Sequence, residues 1–407
     1  MNNSGVIFGS KKYTTVAKSE NMDGHILVVG GVGSGKSSCI AIPTLQAWKS
    51  RVFAIDIKGE LHETTKHKRK NTLVFNPLDI NALGYNPFHA LQNTDNQTRE
   101  ARIISNALIP MQQNTKETFW IDNARNMLTG AILHFYNCGF TFIETIQKIL
   151  STPIADLINE IAKSETDKVI YFINSFIGMD NKTLCGIYAE LSRHIVLYVT
   201  DEDIETSLSK KRYIAPSDLE LADIYIKIPE YLLEDWKNLL SLMISQFLTY
   251  FEKRKEMTST PILFLLDEFA RLGKIEKMTN ALSTLRSKKI TICLVLQSLA
   301  QLDLIYGKET HNVMCDTCAY KAILSASDPD TQEAFSKLVG TYDRYKITDN
   351  IGSGVVGKVV GLPSTYGKSG ATEDRKIIKP EEFATLNDVV LLTPFGFFRV
   401  DKKPYYL

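Results

Sequence analysis

Short, almost uninterrupted apolar runs recur along the chain: 25–29, Arg51–Asp56, Thr72–Phe75, Ala222–Ile228, Pro261–Asp267, Thr291–Gln297 and Tyr320–Ala326. Each is strand-sized. Segments with apolar residues at helical spacing lie between many of them, notably Glu230–Lys255 and Ile275–Ser287. Near-continuous apolar strands spaced by helices predict an α/β fold, a parallel sheet with helices on both faces. Residues 138–206 break this rhythm. Phe140–Leu150, Ile154–Lys163, Asp167–Phe176 and Thr183–Tyr198 all carry helical periodicity with no strand between them, and Thr152-Pro153 reads as a capping residue with proline at the first helical position. The pattern therefore predicts a small all-α domain at 138–206 inserted into an α/β domain made of 1–137 and 207–407. The stretch from Gly352 to about Asp374, rich in Gly, Ser and Thr, predicts a mobile loop or a weakly paired hairpin.

The first strand runs into Gly30-Gly31-Val32-Gly33-Ser34-Gly35-Lys36-Ser37, and Ser38 to Ile42 can open a helix. Strand, glycine-rich turn and helix start are the context that the G-x-x-x-x-G-K-[ST] motif requires. Glycines let the backbone curl so that its N–H groups face phosphate oxygens, and the helix N-terminus adds its positive dipole end. In such a loop Lys36 reaches the β/γ-phosphates and the Ser37 hydroxyl ligates Mg²⁺. This motif predicts a nucleoside triphosphate site.

A second half of that site is legible downstream. Pro261–Leu266 is an apolar strand ending in Asp267-Glu268. In RecA-like P-loop ATPases a strand beside the phosphate loop delivers such a pair. Asp267 is then the Mg²⁺ partner of Ser37, and Glu268 the general base for the attacking water. The strand Ile292–Leu296 ends in Gln297, an amide suited to sensing the γ-phosphate. Between these strands Arg286 either projects across a subunit boundary as an arginine finger or is a solvated cation at a helix C-terminus. Asp56 and Lys58 end a strand on the same sheet edge, where ligands of open α/β sheets collect; there they either meet nucleotide or pair charges in a turn.

Composition narrows the picture. The chain has 407 residues, long enough for two or three domains, and a formal net charge of +1, which excludes a globally basic nucleic-acid binder but not a local basic surface. Six scattered cysteines do not form a disulfide framework, and Cys315 and Cys318, a lone C-x-x-C before an apolar strand, read as small buried thiols. No signal pattern opens the chain, and no apolar run approaches the about 18–20 residues needed to span a bilayer. The expectation is a soluble, cytoplasmic chain.

The pieces, in this order, resemble the type IV secretion coupling proteins, the ATPases of conjugative DNA transfer. The resemblance covers most of the chain: the phosphate loop with Ile42-Pro43-Thr44-Leu45 and Trp48, Asp56-Ile57-Lys58-Gly59-Glu60-Leu61, Phe75-Asn76-Pro77, Asn86-Pro87-Phe88, Phe119-Trp120 and Ala124-Arg125. It continues through Leu266-Asp267-Glu268-Phe269-Ala270-Arg271-Leu272-Gly273, Leu296-Gln297-Ser298-Leu299-Ala300-Gln301-Leu302, Tyr306-Gly307, Arg375, Pro380-Glu381-Glu382 and Lys403-Pro404-Tyr405-Tyr406.

This resemblance implies a RecA-like motor domain using ATP and Mg²⁺, with the helical insertion as the substrate-recognition domain. It also implies a homo-hexameric ring with nucleotide at the subunit interfaces, and it favours Arg286 as the finger acting in trans. Its partners would be a relaxase, the transferred DNA and the secretion channel. Family members usually begin with transmembrane helices and this sequence begins almost at the motor, so the expectation is either a membrane-anchor partner protein or a sequence trimmed to its cytoplasmic part. Lys274 and Lys277 are candidates for backbone-directed DNA contacts. The competing expectations are a septal-type or packaging DNA translocase, and a nucleotide-gated platform that recruits cargo with little motor activity.

Overall fold

The computed structural model describes residues 4–92, 94–111, 118–256, 260–351 and 366–407. Its strands are β1 (Gly5–Lys11), β2 (Thr14–Ser19), β3 (Ile26–Val29), β4 (Arg51–Asp56), β5 (Thr72–Phe75), β6 (Gly84–Tyr85), β7 (Tyr213–Ile214), β8 (Asp223–Lys227), β9 (Ile262–Leu266), β10 (Ile290–Leu296), β11 (Tyr320–Ile323), β12 (Thr341–Ile351), β13 (Tyr366–Lys376), β14 (Asp388–Thr393) and β15 (Gly396–Asp401). Eleven of them form one sheet in the order β2-β1-β15-β14-β11-β3-β10-β9-β4-β8-β5.

The seven strands expected from the sequence are the seven that run parallel, from β11 to β5. Beyond β11 the sheet continues antiparallel through β14, β15, β1 and β2. The sequence reading missed this flank. The β1–β2 hairpin turns at Lys12 and Tyr13, both at positive φ (45° and 69°), where the usual Asn-Gly signal is absent. Strand order also corrects one expectation: β9, which leads into the acid pair, is not beside β3, because β10 lies between them.

Both faces of the sheet are covered, and its side chains alternate between two cores. Leu263 and Leu265 of β9 join Val28, Ala54, Val295, Leu45 and Trp48 on one face. Phe264 and Leu266 join the other, larger core. That alternation is the pleat of a strand buried on both sides. The segment expected as an amphipathic helix over Glu230–Lys255 is a short 3₁₀ turn followed by a helix, Leu233–Glu252. It is buried around most of its circumference. Trp236 meets Phe75 and Phe247 meets Phe53 at ring centroid distances of 5.7 and 4.7 Å, while Asn238 reaches the carbonyl of Leu108 in the helix Gln97–Leu108.

Between β6 and β7 the chain is helical. After Phe119–Asn137 come Phe142–Ser151, Ile154–Ile161, Asp167–Ile173, Asn181–Ile195, Leu197–Thr200 and Glu202–Ser209, with no strand among the described residues of this stretch. Thr141 and Glu144 form a reciprocal capping box at the start of one of them. Pro153 stands at the N-cap of Ile154–Ile161, one position earlier than expected, and the Thr152 hydroxyl instead donates to the carbonyl of Lys148 at 2.7 Å. The parallel pair β6–β7 ties the chain entering this region to the chain leaving it. The buried side chains of these helices are continuous with the larger core, Phe142 packing on both Phe88 and Tyr198. For the stretch expected as a loop or hairpin, the arms β12 and β13 pair antiparallel from Thr341–Lys376 to Ile351–Tyr366, and residues 352–365 lie outside the described residues.

One buried ion pair ties the phosphate-loop side of the sheet together. Arg69, 8% exposed, donates to both carboxylate oxygens of Asp223 at 2.7 and 3.1 Å and to the carbonyl of Leu45 at 3.0 Å. Asp223 also accepts the N–H of Val52 at the start of β4. The guanidinium fork thereby joins β8, β4 and the end of the helix that follows the phosphate loop. Removing one partner strands the other charge in the interior, at a cost of about 3–5 kcal/mol. Chemical denaturation of Arg69→Met is expected to show a loss of that order; a midpoint unchanged from the native chain would refute the role given to this pair.

Candidate functional site

The phosphate loop leaves β3 at Gly30, whose N–H donates to the carbonyl of Leu296 at the end of β10 at 3.1 Å. This bond fixes the loop to the neighbouring strand end. Gly33 and Gly35 sit at positive φ (75° and 99°), conformations that glycine adopts without strain. At Gly30 a Cβ would fall 2.4 Å from the Ser34 hydroxyl and 3.2 Å from the side chains of Leu324 and Lys36, so a larger residue would displace the Ser34 side chain. The chain then enters a single π-helical turn, Lys36–Ala41, before the α-helix Ile42–Ala47. Such turns recur at functional sites.

The loop carries unmet hydrogen-bonding capacity. Among the described residues the backbone N–H groups of Val32, Gly33 and Gly35 donate to no protein atom, and the buried Ser34 hydroxyl has no partner. Donors clustered at a helix start suit an anion. Lys36 is 8% exposed and donates to the carbonyls of Gly30 and Gly31 at 2.7 and 3.3 Å, with Glu268 Oε1 3.9 Å away. Burial holds its pKa below the usual lysine value, opposed by the charges of Glu268 and Asp267.

Asp267 and Glu268 follow β9. Asp267 is 3% exposed, and its pKa is pushed up to about 6, first by burial and then by the adjacent Glu268. Glu268 adopts a left-handed backbone (φ 47°, ψ 42°), a strained choice for a residue with a side chain. The turn aims its carboxylate into the cleft, where Gln297 Nε2 donates to Oε2 at 2.9 Å. The expected amide sensor and the expected base are therefore hydrogen-bonded to each other.

Lys36, Glu268 and Gln297 line a pocket of about 440 Å³ together with the loop from Gly31 to Ser38, whereas the buried Asp267 is not among its lining residues. Ser37, half-buried, presents a hydroxyl with no partner among the described residues. Lys58 also lines the pocket, whereas Asp56 is turned to structural use, accepting from the N–H groups of Leu61 and His62 at the start of the helix Glu60–Thr65. Arg286 is elsewhere. It lies just before β10, while Gln297 lies just after it, and a seven-residue strand separates the two by about 20 Å. Arg286 is exposed and makes no ion pair or side-chain hydrogen bond among the described residues.

Arg271, Tyr405 and Tyr406 also line the pocket, although the sequence marked them only as part of the family resemblance and gave them no site role, and Glu230, the ion-pair partner of Arg271, stood in no motif. Arg271 stands three residues after Glu268, so the acid run itself was the available signal. Glu230 and the tail reach the pocket only through folding. Cys315 and Cys318 stay outside the pocket; burial pushes the Cys315 thiol up to about 12 and raises that of Cys318 as well, so neither is a ready thiolate. No helix among the described residues is long and apolar enough to cross a membrane.

A glycine-rich loop after a parallel strand, faced by an acid pair and a strand-end amide, defines a RecA-like P-loop α/β protein. A family model described as type IV secretory system conjugative DNA transfer matches residues 2–406, and the chain belongs to that family. It is 27% identical over 341 residues to the protein VirD4 of Rhizobium radiobacter, covering 78% of this chain and 48% of that one. It is 26% identical over 381 residues to the conjugal transfer protein TraG of the same organism, covering 88% and 58%. The chain thus spans about half the length of the curated relatives it matches. Among solved structures, the bacterial conjugative coupling protein TrwBdeltaN70 superposes with a TM-score of 0.73 at 18% identity, over 93% of this chain and 84% of that one. TrwB in complex with ADP and Mg²⁺ gives 0.71 at the same identity, over 93% and 85%.

The raised pKa of Asp267 carries a sign. The folded state prefers the protonated acid, so its stabilising effect is complete below the unfolded value of about 4 and is lost as pH rises through about 6. Asp267→Asn is expected to be more stable than the native chain above pH 6, by about 2–3 kcal/mol at most, with no difference below about pH 4. Urea titrations of both proteins across this range test it, and a pH-independent difference would contradict the assignment.

Proposed function

We propose that the pocket binds a magnesium nucleoside triphosphate and hydrolyses it, ATP being the fuel, and that hydrolysis couples delivery of a relaxase–DNA complex to a type IV secretion channel. The observation carrying this reading is the convergence of Lys36, Glu268 and Gln297 around a loop whose N–H groups lack protein acceptors. Family membership points the same way, as does the TrwB complex with ADP and Mg²⁺.

In this reading the loop from Gly30 to Ser38 cradles the phosphates, and Lys36 exchanges its two carbonyl acceptors for phosphate oxygens. Ser37 and Asp267 would hold Mg²⁺. The fit rests on the free Ser37 hydroxyl and the buried Asp267 carboxyl; among the described residues no group of three or more His, Cys, Asp or Glu is gathered for a metal, so substrate oxygens and water complete the shell. When bound, the ion neutralises charge on the phosphates. Glu268 accepts the proton of the attacking water, and Gln297, already bonded to it, registers whether the terminal phosphate is present.

Arg286 cannot serve its own pocket from the opposite end of β10. It is the finger only if a neighbouring subunit presents it, which fits a homo-hexameric ring. The helical region 138–206 is the surface for relaxase or other protein cargo. In this reading DNA meets a separate groove of about 490 Å³ where Lys277 lies with Arg99 and Arg102, with Lys274 lining the adjoining pocket. The protein acts at the cytoplasmic face of the membrane.

Lys36→Ala is expected to abolish nucleotide binding, and Glu268→Gln to bind nucleotide while turnover falls by about 10²–10⁴-fold, the usual size of a general-base contribution. Both are expected to stop DNA transfer between cells. Transfer at native frequency in both variants would rule out the motor reading.

A further inference from the structure

The end of the described chain lines one part of the pocket and is pinned there. Lys402 Nζ donates to the carbonyls of Leu324 and Leu386 at 3.0 and 2.9 Å, which ties the segment beyond β15 to the sheet. The N–H of Tyr405 then donates to the carbonyl of Ser38 at 2.9 Å, and Leu407 N–H closes a turn on Pro404 at 3.1 Å. The result is a strap that sets Tyr405 and Tyr406 in the pocket wall beside Ser38 and Ile42. The two rings pack edge to face, with centroids 5.2 Å apart and planes at 79°. They remain 41% and 67% exposed, and among the described residues neither hydroxyl has a hydrogen-bond partner.

Exposed aromatic rings held over a polar cleft by three backbone-directed hydrogen bonds have a face to offer and no protein group to meet it. Their chemistry decides which part of a ligand they suit. Lys36, Glu268 and Gln297 mark the phosphate end of the pocket. The strap is fixed to the backbone of Ser38, and its rings carry no charge, so phosphate oxygens are left to Lys36 and the loop N–H groups while the rings suit the flat part of a ligand. A purine offers a flat π-surface, and stacking on it does not depend on which base is presented.

We propose that Tyr405 and Tyr406 form the nucleobase platform of this pocket, giving it affinity for a purine ring with little discrimination between adenine and guanine. The inference rests on the reading of the pocket as a nucleoside triphosphate site, and its test separates the two. Isothermal titration of the full chain uses three probes with Mg²⁺: ATP, GTP and inorganic tripolyphosphate. The native chain is expected to bind ATP and GTP with similar affinity and tripolyphosphate more weakly. The variant carrying Tyr405→Ala and Tyr406→Ala is expected to lose affinity for both nucleotides by about tenfold or more while keeping its affinity for tripolyphosphate. Tyr405→Phe with Tyr406→Phe keeps both rings and is expected to bind like the native chain. Equal nucleotide affinity in the alanine variant overturns the platform, as does a parallel loss of tripolyphosphate binding, which would mean that the strap only shapes the loop. Failure of the native chain to bind any probe would instead overturn the reading of the pocket itself.

Discussion

The register of three parallel strands is the constraint on which the site depends. Val29 of β3 pairs with Leu296 of β10, and Leu294 of β10 pairs with Leu266 of β9. The phosphate loop, the amide and the acid pair therefore leave the sheet at nearly one level on one edge. Parallel strands all end on the same side, and the Gly30–Leu296 hydrogen bond carries the ladder one residue further into the loop. A slip of one residue in β10 would move Gln297 along the sheet and turn its neighbours to the wrong core. The interdigitated cores on both faces oppose such a slip, since alternate residues of β9 and β10 are committed to different sides.

Given that level edge, the chemistry of the pocket comes from placing charge where water is scarce. Lys36, Asp267 and Glu268 are each at most 8% exposed, and both acids act on Lys36, with Lys58 as a second cation nearby. Burial lowers the lysine and raises the aspartic acid, so each is less comfortable in its charged form than it would be in water. The left-handed backbone at Glu268 is a further local cost, balanced by the surrounding packing of Phe269 and Leu272. A site held in this tension favours a ligand that offsets charge of both signs. Structural charges are handled differently: Arg69 and Asp223 are equally buried but satisfy one another fully, and they hold the sheet instead of waiting for a ligand.

Much of this was legible along the chain. Seven parallel strands announce themselves because a strand covered on both faces is apolar at nearly every position, and the phosphate loop because its backbone demands glycine at set places. Asp267, Glu268 and Gln297 were found because each ends such a strand. The antiparallel flank was not visible, since β2 and β15 present one face to solvent and the Lys12-Tyr13 turn lacks the residues that usually mark a hairpin. The helix Leu233–Glu252 read as amphipathic because sequence shows periodicity but not how many elements will surround a segment.

The sequence by itself determined the fold class, the phosphate loop and the acids that face it, because local backbone chemistry and hydrophobic period are written residue by residue. Only the tertiary structure decided strand order, with β10 between β3 and β9, the removal of Asp56 from the pocket into a helix cap, and the distance of Arg286 from its own loop. It alone brought Glu230 and the Tyr405–Tyr406 strap to residues hundreds of positions away. Those outcomes depend on which surfaces meet when the two cores close, and no single stretch of chain carries that information.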